Sequence, residues 1–216
     1  AVSEFSLLDK RDPAYGYHSA MNPADASKRW IQVDLGESLA MSEIRLHPCS
    51  DDFGGIGNGF GFPVRFQVEV SDDPDFKQST LVADESQADY PNLGIAYYAA
   101  KKQVTGRYIR ISVHKLFDRS GSKMFAISEL VALNANGDNV ARAKKVTSPT
   151  SIEAPVRWAR KNLTDGLWPK PKDVAKTQHW AAMLLKAGQH MASANTPDRQ
   201  RRHGELVKQQ NVLKKE

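Results

Sequence analysis

Apolar and polar residues alternate one for one along several short stretches of this chain. In Trp30-Ile31-Gln32-Val33-Asp34-Leu35-Gly36, the residues Ile31, Val33 and Leu35 point one way while Gln32 and Asp34 point the other. Ile109, Ile111 and Val113 repeat the pattern against Tyr108, Arg110 and Ser112. Val64, Phe66, Val68 and Val70 do the same against Arg65, Gln67 and Glu69. A period of two predicts half-buried antiparallel strands with one wet face. Turn signals separate these stretches at Asn22-Pro23, Gly54-Gly55, Asn58-Gly59, Asp73-Pro74, Pro91-Asn92 and Gly121. Many short strands with such punctuation predict an all-β domain over residues 1–135, a sandwich or jelly roll.

The pattern then changes. Residues 136–172 open at Asn136-Gly137 and read as mostly irregular. Residues 173–216 read as a short helical hairpin. Asp173 is placed to cap a helix that carries Trp180, Leu184, Ala187 and Met191 on one face. Thr196-Pro197 then supplies an N-cap and a proline at the first position of a second helix, in which Leu206 and Leu213 stand one heptad apart.

Charge sharpens the division. Residues 141–216 hold 16 Lys and Arg against 6 Asp and Glu, a net of +10, while residues 1–140 hold 14 against 19, a net of −5. A basic tail suits either an anionic partner or an acidic neighbouring domain. No zinc-finger, RRM or helix-turn-helix signature accompanies the charge, so nucleic acid is not the expected partner. No run approaches the roughly 18 apolar residues of a membrane span. The start, Ala1-Val2-Ser3-Glu4-Phe5, lacks the basic and apolar regions of a signal peptide, so a leader has been removed or the chain is an internal piece. The single Cys49 excludes an intrachain disulfide and reads as a structural thiol.

Trp30–Gly36 running on to Ile44-Arg45-Leu46-His47-Pro48, and Arg107–Val113 running on to Ala126-Ile127-Ser128-Glu129-Leu130, together resemble the discoidin family, also called coagulation factor five/eight C-type domains. The resemblance covers about residues 6–135 and implies a discoidin-like antiparallel jelly-roll β-sandwich of the galactose-binding-like kind, which binds its ligand with loops at one end. In the family the first loop reads Leu-Asp-Gly-Asp and then Thr-x-Trp. Here it reads Leu8-Asp9-Lys10-Arg11-Asp12-Pro13-Ala14-Tyr15-Gly16-Tyr17-His18-Ser19: the glycine is lost, one residue is added and the Thr is missing. Sugar-binding members hold a structural calcium in this loop, and the resemblance implies Asp9, Asp12 and Glu129 as its carboxylates. Calcium takes six to eight oxygens, so carbonyls must complete such a set. The alternative is that Asp9 and Asp12 simply order a turn.

The family's chain also begins with a strand upstream of this loop, reading like Asn-Val-Ala to Val-Thr. Here that pattern stands after the domain, at Asn139-Val140-Ala141 to Val146-Thr147, which are expected to fold back as an edge strand. Residues 139–166 also resemble the opening of a second such module whose closing strands never arrive.

Sugars are bound by stacking a C–H face on an aromatic ring while hydroxyls pair with polar side chains. Three loops offer such groups: Tyr15, Tyr17 and His18 in the first; Asp52, Phe53, Asn58 and Phe60 in the second, among five glycines; Phe117 and Arg119 in the third. The resemblance implies that His18 contacts the sugar and that Asn58 stands for a family Asn. Cys49 replaces an Arg common in galactose-binding relatives, which weakens the case for galactose itself. Trp30 and Phe62 read as core.

The leading expectation is a non-catalytic carbohydrate-binding module of a larger secreted bacterial protein, such as a glycoside hydrolase, placed outside the cell, in the periplasm or at the cell surface. Its partners would be a glycan or polysaccharide and the neighbouring domains of the parent chain. The competing readings are a protein- or lipid-interaction module for adhesion or docking, and a purely structural accessory domain. Exposed apolar loop tips with basic neighbours would suit a lipid surface, but Asp51 and Asp52 oppose an anionic one. No Gly-x-Ser-x-Gly, His-Glu-x-x-His or phosphate-loop motif is present, so the chain is not expected to be an enzyme by itself.

Overall fold

A computed structural model describes residues 11–22, 25–100, 103–154 and 156–170. Asp9 and the expected helical hairpin of residues 173–216 lie outside the described residues.

The fold is mostly β and antiparallel. Fourteen short strands occur among the described residues. They are β1 (Tyr17–His18), β2 (Trp30–Met41), β3 (Glu43–His47), β4 (Cys49–Asp51), β5 (Gly57–Phe60), β6 (Arg65–Ser71), β7 (Thr80–Glu85), β8 (Tyr97–Ala100), β9 (Val104–Lys115), β10 (Phe117–Arg119), β11 (Ser122–Met124), β12 (Ala126–Ile127), β13 (Glu129–Leu133) and β14 (Lys145–Thr147). The only helical pieces among the described residues are short 3-10 turns, and no helix among them is long and apolar enough to cross a membrane.

A five-stranded sheet runs in the order β14-β2-β9-β6-β7, and a three-stranded sheet in the order β13-β3-β8. The alternation read from the sequence sets their inner faces. Ile31, Val33 and Leu35 of β2, Ile109 and Ile111 of β9, and Phe66, Val68 and Val70 of β6 share one buried cluster with Ile44 and Leu46 of β3 and Leu130 and Ala132 of β13. Burying one such side chain stabilises by about 1.5–3 kcal/mol, so the two sheets hold each other through this face. On the wet face, the Arg107 guanidinium donates to both oxygens of Asp34, at 2.7 and 3.0 Å. Arg110 lies over the rings of Trp30 and Phe76, so Trp30 is half-buried beneath a cation and lies outside the inner core.

The core does not stop at residue 135. Ala141, Val146 and Leu163 belong to the same cluster. Lys145, Val146 and Thr147 pair antiparallel with Asp34, Val33 and Gln32, which places β14 on the edge of the large sheet. The 3-10 turn Arg160–Thr164 follows, and the Thr164 hydroxyl donates to the Lys144 carbonyl at 2.9 Å.

Candidate functional site

The three loops named from the sequence meet at one end. The second loop opens with the Phe53–Gly55 turn. Asp51 accepts a hydrogen bond from the Phe53 amide at 3.0 Å, and the Asp52 carbonyl accepts one from Gly55 at 2.8 Å. Gly54 and Gly55 both have positive φ, with nothing within 4 Å of where a Cβ would stand. Backbone of this kind favours glycine, and it turns the chain so that Phe53 projects outward, 62% exposed.

The third loop is a β10–β11 hairpin. Arg119 pairs with Ser122 across a two-residue turn, Ser120-Gly121, in which both residues have positive φ. This is the twist that tight hairpins prefer. The Asp118 carboxylate fixes it by accepting from the Gly121 amide at 2.7 Å. Phe117 and Arg119, two residues apart on one strand, share a face. The Arg119 guanidinium lies 4.6 Å from the centre of the Phe53 ring. Phe53, Ile56, Phe117, Asp118 and Arg119 thereby line an open cleft of about 410 Å³.

Beneath the cleft lies an aromatic floor. Phe60 is buried, with its ring centre 6.2 Å from Phe117 and 6.1 Å from His18. His18 is only 4% exposed. Its Nδ1 donates to the Ser19 carbonyl at 2.6 Å, and burial pushes its pKa down. Tyr17 is fully buried, with its hydroxyl donating to the Thr150 carbonyl at 2.7 Å and its pKa raised to about 12 by burial. Tyr15 remains partly exposed beneath the Arg157 guanidinium. Asn58 is exposed but turned to Ser50, whose hydroxyl donates to it at 2.7 Å. Asp52 is exposed at the loop shoulder and does not line the cleft. Of the nine candidate ligand residues, Phe53, Phe117 and Arg119 form the cleft wall, Phe60 and His18 underlie it, and Tyr17 is core.

One residue of this end was missed in the sequence. Trp158 packs edge-on to His18 at 4.9 Å and edge-on to Tyr15 at 5.0 Å, and stacks on Phe60 at 6.0 Å. Its segment is pinned by the Ile152 amide donating to the His18 carbonyl and the Ala159 amide donating to the Gly16 carbonyl, at 2.9 and 3.1 Å. A lone tryptophan in a turn-rich stretch carried no periodic signal that would place it here.

Two of the expected metal ligands, Asp12 on the first loop and Glu129 at the start of β13, are among the described residues. Asp12 is exposed, and its Oδ1 accepts from the Ala14 amide at 2.8 Å. Glu129 is fully buried; its Oε1 accepts from the Gly166 amide at 2.9 Å and its Oε2 has no partner. Burial pushes the Glu129 carboxyl up to about 9. Opposite it on β3 stands His47, stacked on Trp168 at 4.5 Å. The His47 Nε2 also lacks a partner, and burial pushes its pKa down to about 4. Among the described residues no three His, Cys, Asp or Glu side chains group as a metal site would require.

Among known families, residues 12–111 match the F5/F8 type C model described as a NedA-like, galactose-binding domain. A comparison with curated proteins finds no match. The family match ends within β9, so Phe117, Arg119, Glu129 and Trp158 all lie beyond it.

Proposed function

Residues 12–111 of this chain are an F5/F8 type C domain of the galactose-binding-like kind, and from that premise we propose that the chain is a non-catalytic carbohydrate-binding module of a larger secreted bacterial protein that acts on polysaccharide. The fold is read as the family's jelly-roll sandwich, with glycan held by the loops at one end. The observation that carries the reading is Phe53: a large ring, 62% exposed, walling a cleft it shares with Phe117 and Arg119. A pyranose ring lays its C–H face on such an aromatic surface, while the Arg119 guanidinium and the Asp118 carboxylate pair with its hydroxyls. His18, beneath Trp158 and Phe60, shapes the floor and is not itself the sugar contact.

The test is a glycan and polysaccharide screen at millimolar sugar, run on the wild type, Phe53→Ala and Arg119→Ala. Single sites of this kind bind weakly, with Kd on the order of 0.1–1 mM, about 4–5.5 kcal/mol. Binding that falls at least tenfold in both variants supports the site. Binding unaffected by either places the glycan elsewhere, and no binding to any glycan overturns the reading. Vesicles with anionic headgroups form a parallel arm, because an exposed Phe53 also suits a lipid surface; Asp51 and Asp52 beside it oppose that outcome.

A further inference from the structure

The first loop is arranged around a cation that belongs to the chain. Each backbone carbonyl from Asp12 to Gly16 is already taken by a hydrogen-bond donor. The Asp12 carbonyl accepts from the Tyr15 amide at 3.2 Å and from Arg11 Nη1. The Pro13 carbonyl accepts from the Ser128 hydroxyl at 3.0 Å, and the Ala14 carbonyl from the Ser50 amide at 2.8 Å. The Tyr15 carbonyl accepts from Arg11 Nη2 at 2.5 Å, and the Gly16 carbonyl from the Ala159 amide at 3.1 Å.

Arg11 makes three of the contacts that order this loop. Besides the two carbonyls, its Nε donates to Asp165 Oδ2 at 2.7 Å, with only 17% of the Arg11 side chain exposed. A guanidinium is a planar fork of five donors that never loses its charge, and it suits a ring of carbonyl and carboxylate oxygens. A calcium ion would need six to eight oxygens from the same place. What the described residues leave open is one Glu129 oxygen, together with the exposed Asp12 carboxylate that already accepts from the Ala14 amide. The described residues do not fit the metal.

We infer that Arg11, paired with Asp165, occupies the role that the family resemblance assigns to calcium, so that an internal guanidinium ties the first loop to the Arg160–Trp168 segment and the fold needs no divalent cation. The two residues that replace the family's single glycine, Lys10 and Arg11, are what bring this cation in. Asp165, its anionic partner, comes from beyond the family match. This inference rests on the family reading only for where a metal would be sought. Its test involves no glycan, so it fails or stands independently of the binding proposal.

The experiment is thermal unfolding of the full chain in excess chelator and again in millimolar calcium, beside calcium titration calorimetry. The expected result is a Tm equal within about 1 °C in the two conditions, where a 1 kcal/mol change moves a chain of this size by about 2–4 °C, and no heat of binding. A Tm several degrees higher in calcium, or saturable binding at sub-millimolar calcium, overturns the inference whatever any variant does. Arg11→Gln and Asp165→Asn, measured singly and together, supply the positive side. Each single variant is expected to lower Tm by about 3–8 °C, as loss of one partner of a part-buried ion pair does, with the double variant no worse than the worse single one. Single variants that melt like the wild type, or losses that simply add, overturn it.

Discussion

Trp158 stands edge-on to His18 with ring centres 4.9 Å apart, a contact between residues near opposite ends of the described chain. The indole covers a histidine that the loop pattern alone would leave open to ligand. It also braces Tyr15 and Phe60, so one side chain from the later segment closes the floor beneath the cleft. Trp158→Ala is therefore expected to cost about 1–3 kcal/mol, less than a fully buried tryptophan because the ring is only half-buried. It should also raise the His18 pKa toward its ordinary value by restoring water to the ring. Urea unfolding and an NMR titration of His18 check both; a histidine that stays depressed in the variant removes the covering role.

Gly16 is set by close approach. A Cβ there would stand 2.3 Å from the Ser128 carbonyl oxygen and 2.4 Å from that of Ile127. Gly16→Ala is expected to destabilise by about 3 kcal/mol, since both obstacles are backbone and the β1–β12 pair must separate to admit the methyl. Gly54→Ala is the comparison: it meets nothing, and only its positive φ penalises it, by about 1–2 kcal/mol. Urea midpoints of the two variants should fall in that order, and the reverse order would contradict the packing described.

The buried His47 makes stability depend on pH in a definite direction. Its folded pKa, about 4, lies below its ordinary 6.5 because burial disfavours the imidazolium. The unfolded chain therefore binds the proton more readily between those values. The contribution is fully present above pH 6.5 and is lost as pH falls toward 4. In His47→Gln that part of the acid slope should vanish, leaving His18, whose pKa burial also lowers, and the carboxylates to act. Unfolding free energies of both proteins through this window decide it; parallel curves would show that His47 titrates normally in the fold.

Cys49 is fully buried beneath Phe60 and Ala126, and burial pushes its thiol pKa well above the usual range. Only the thiolate reacts. A disulfide reagent should leave the native protein unlabelled for at least about 100 times longer than the urea-unfolded chain. Rapid native labelling would mean that the β4–β5 hairpin opens readily.

The strands were legible because their signal is local. Ile31, Val33 and Leu35 alternate with polar neighbours, and in the fold Ile31 and Val33 stand beside Ile111 and Ile109 of the adjacent strand on one buried face. The cleft wall was legible for a related reason: Phe53 beside Gly54-Gly55, and Phe117 and Arg119 before Ser120-Gly121, are turn signals carrying an aromatic or a cation. Tyr17 and His18 carried the same local signal as Tyr15, yet both are buried. Nothing within a loop states what will later be laid over it.

What the sequence by itself determined is the antiparallel β architecture and its inward-facing residues, because steric alternation and turn chemistry act between near neighbours in the chain. What only the tertiary structure decided is what the segment after the expected edge strand does: Leu163 enters the core, Trp158 covers His18, and Asp165 meets Arg11. Those choices join residues more than a hundred positions apart, apart from the short turn into Leu163. They depend on which buried surfaces and unpaired polar groups remain once the sheets have formed, and no pattern of neighbouring residues encodes that remainder.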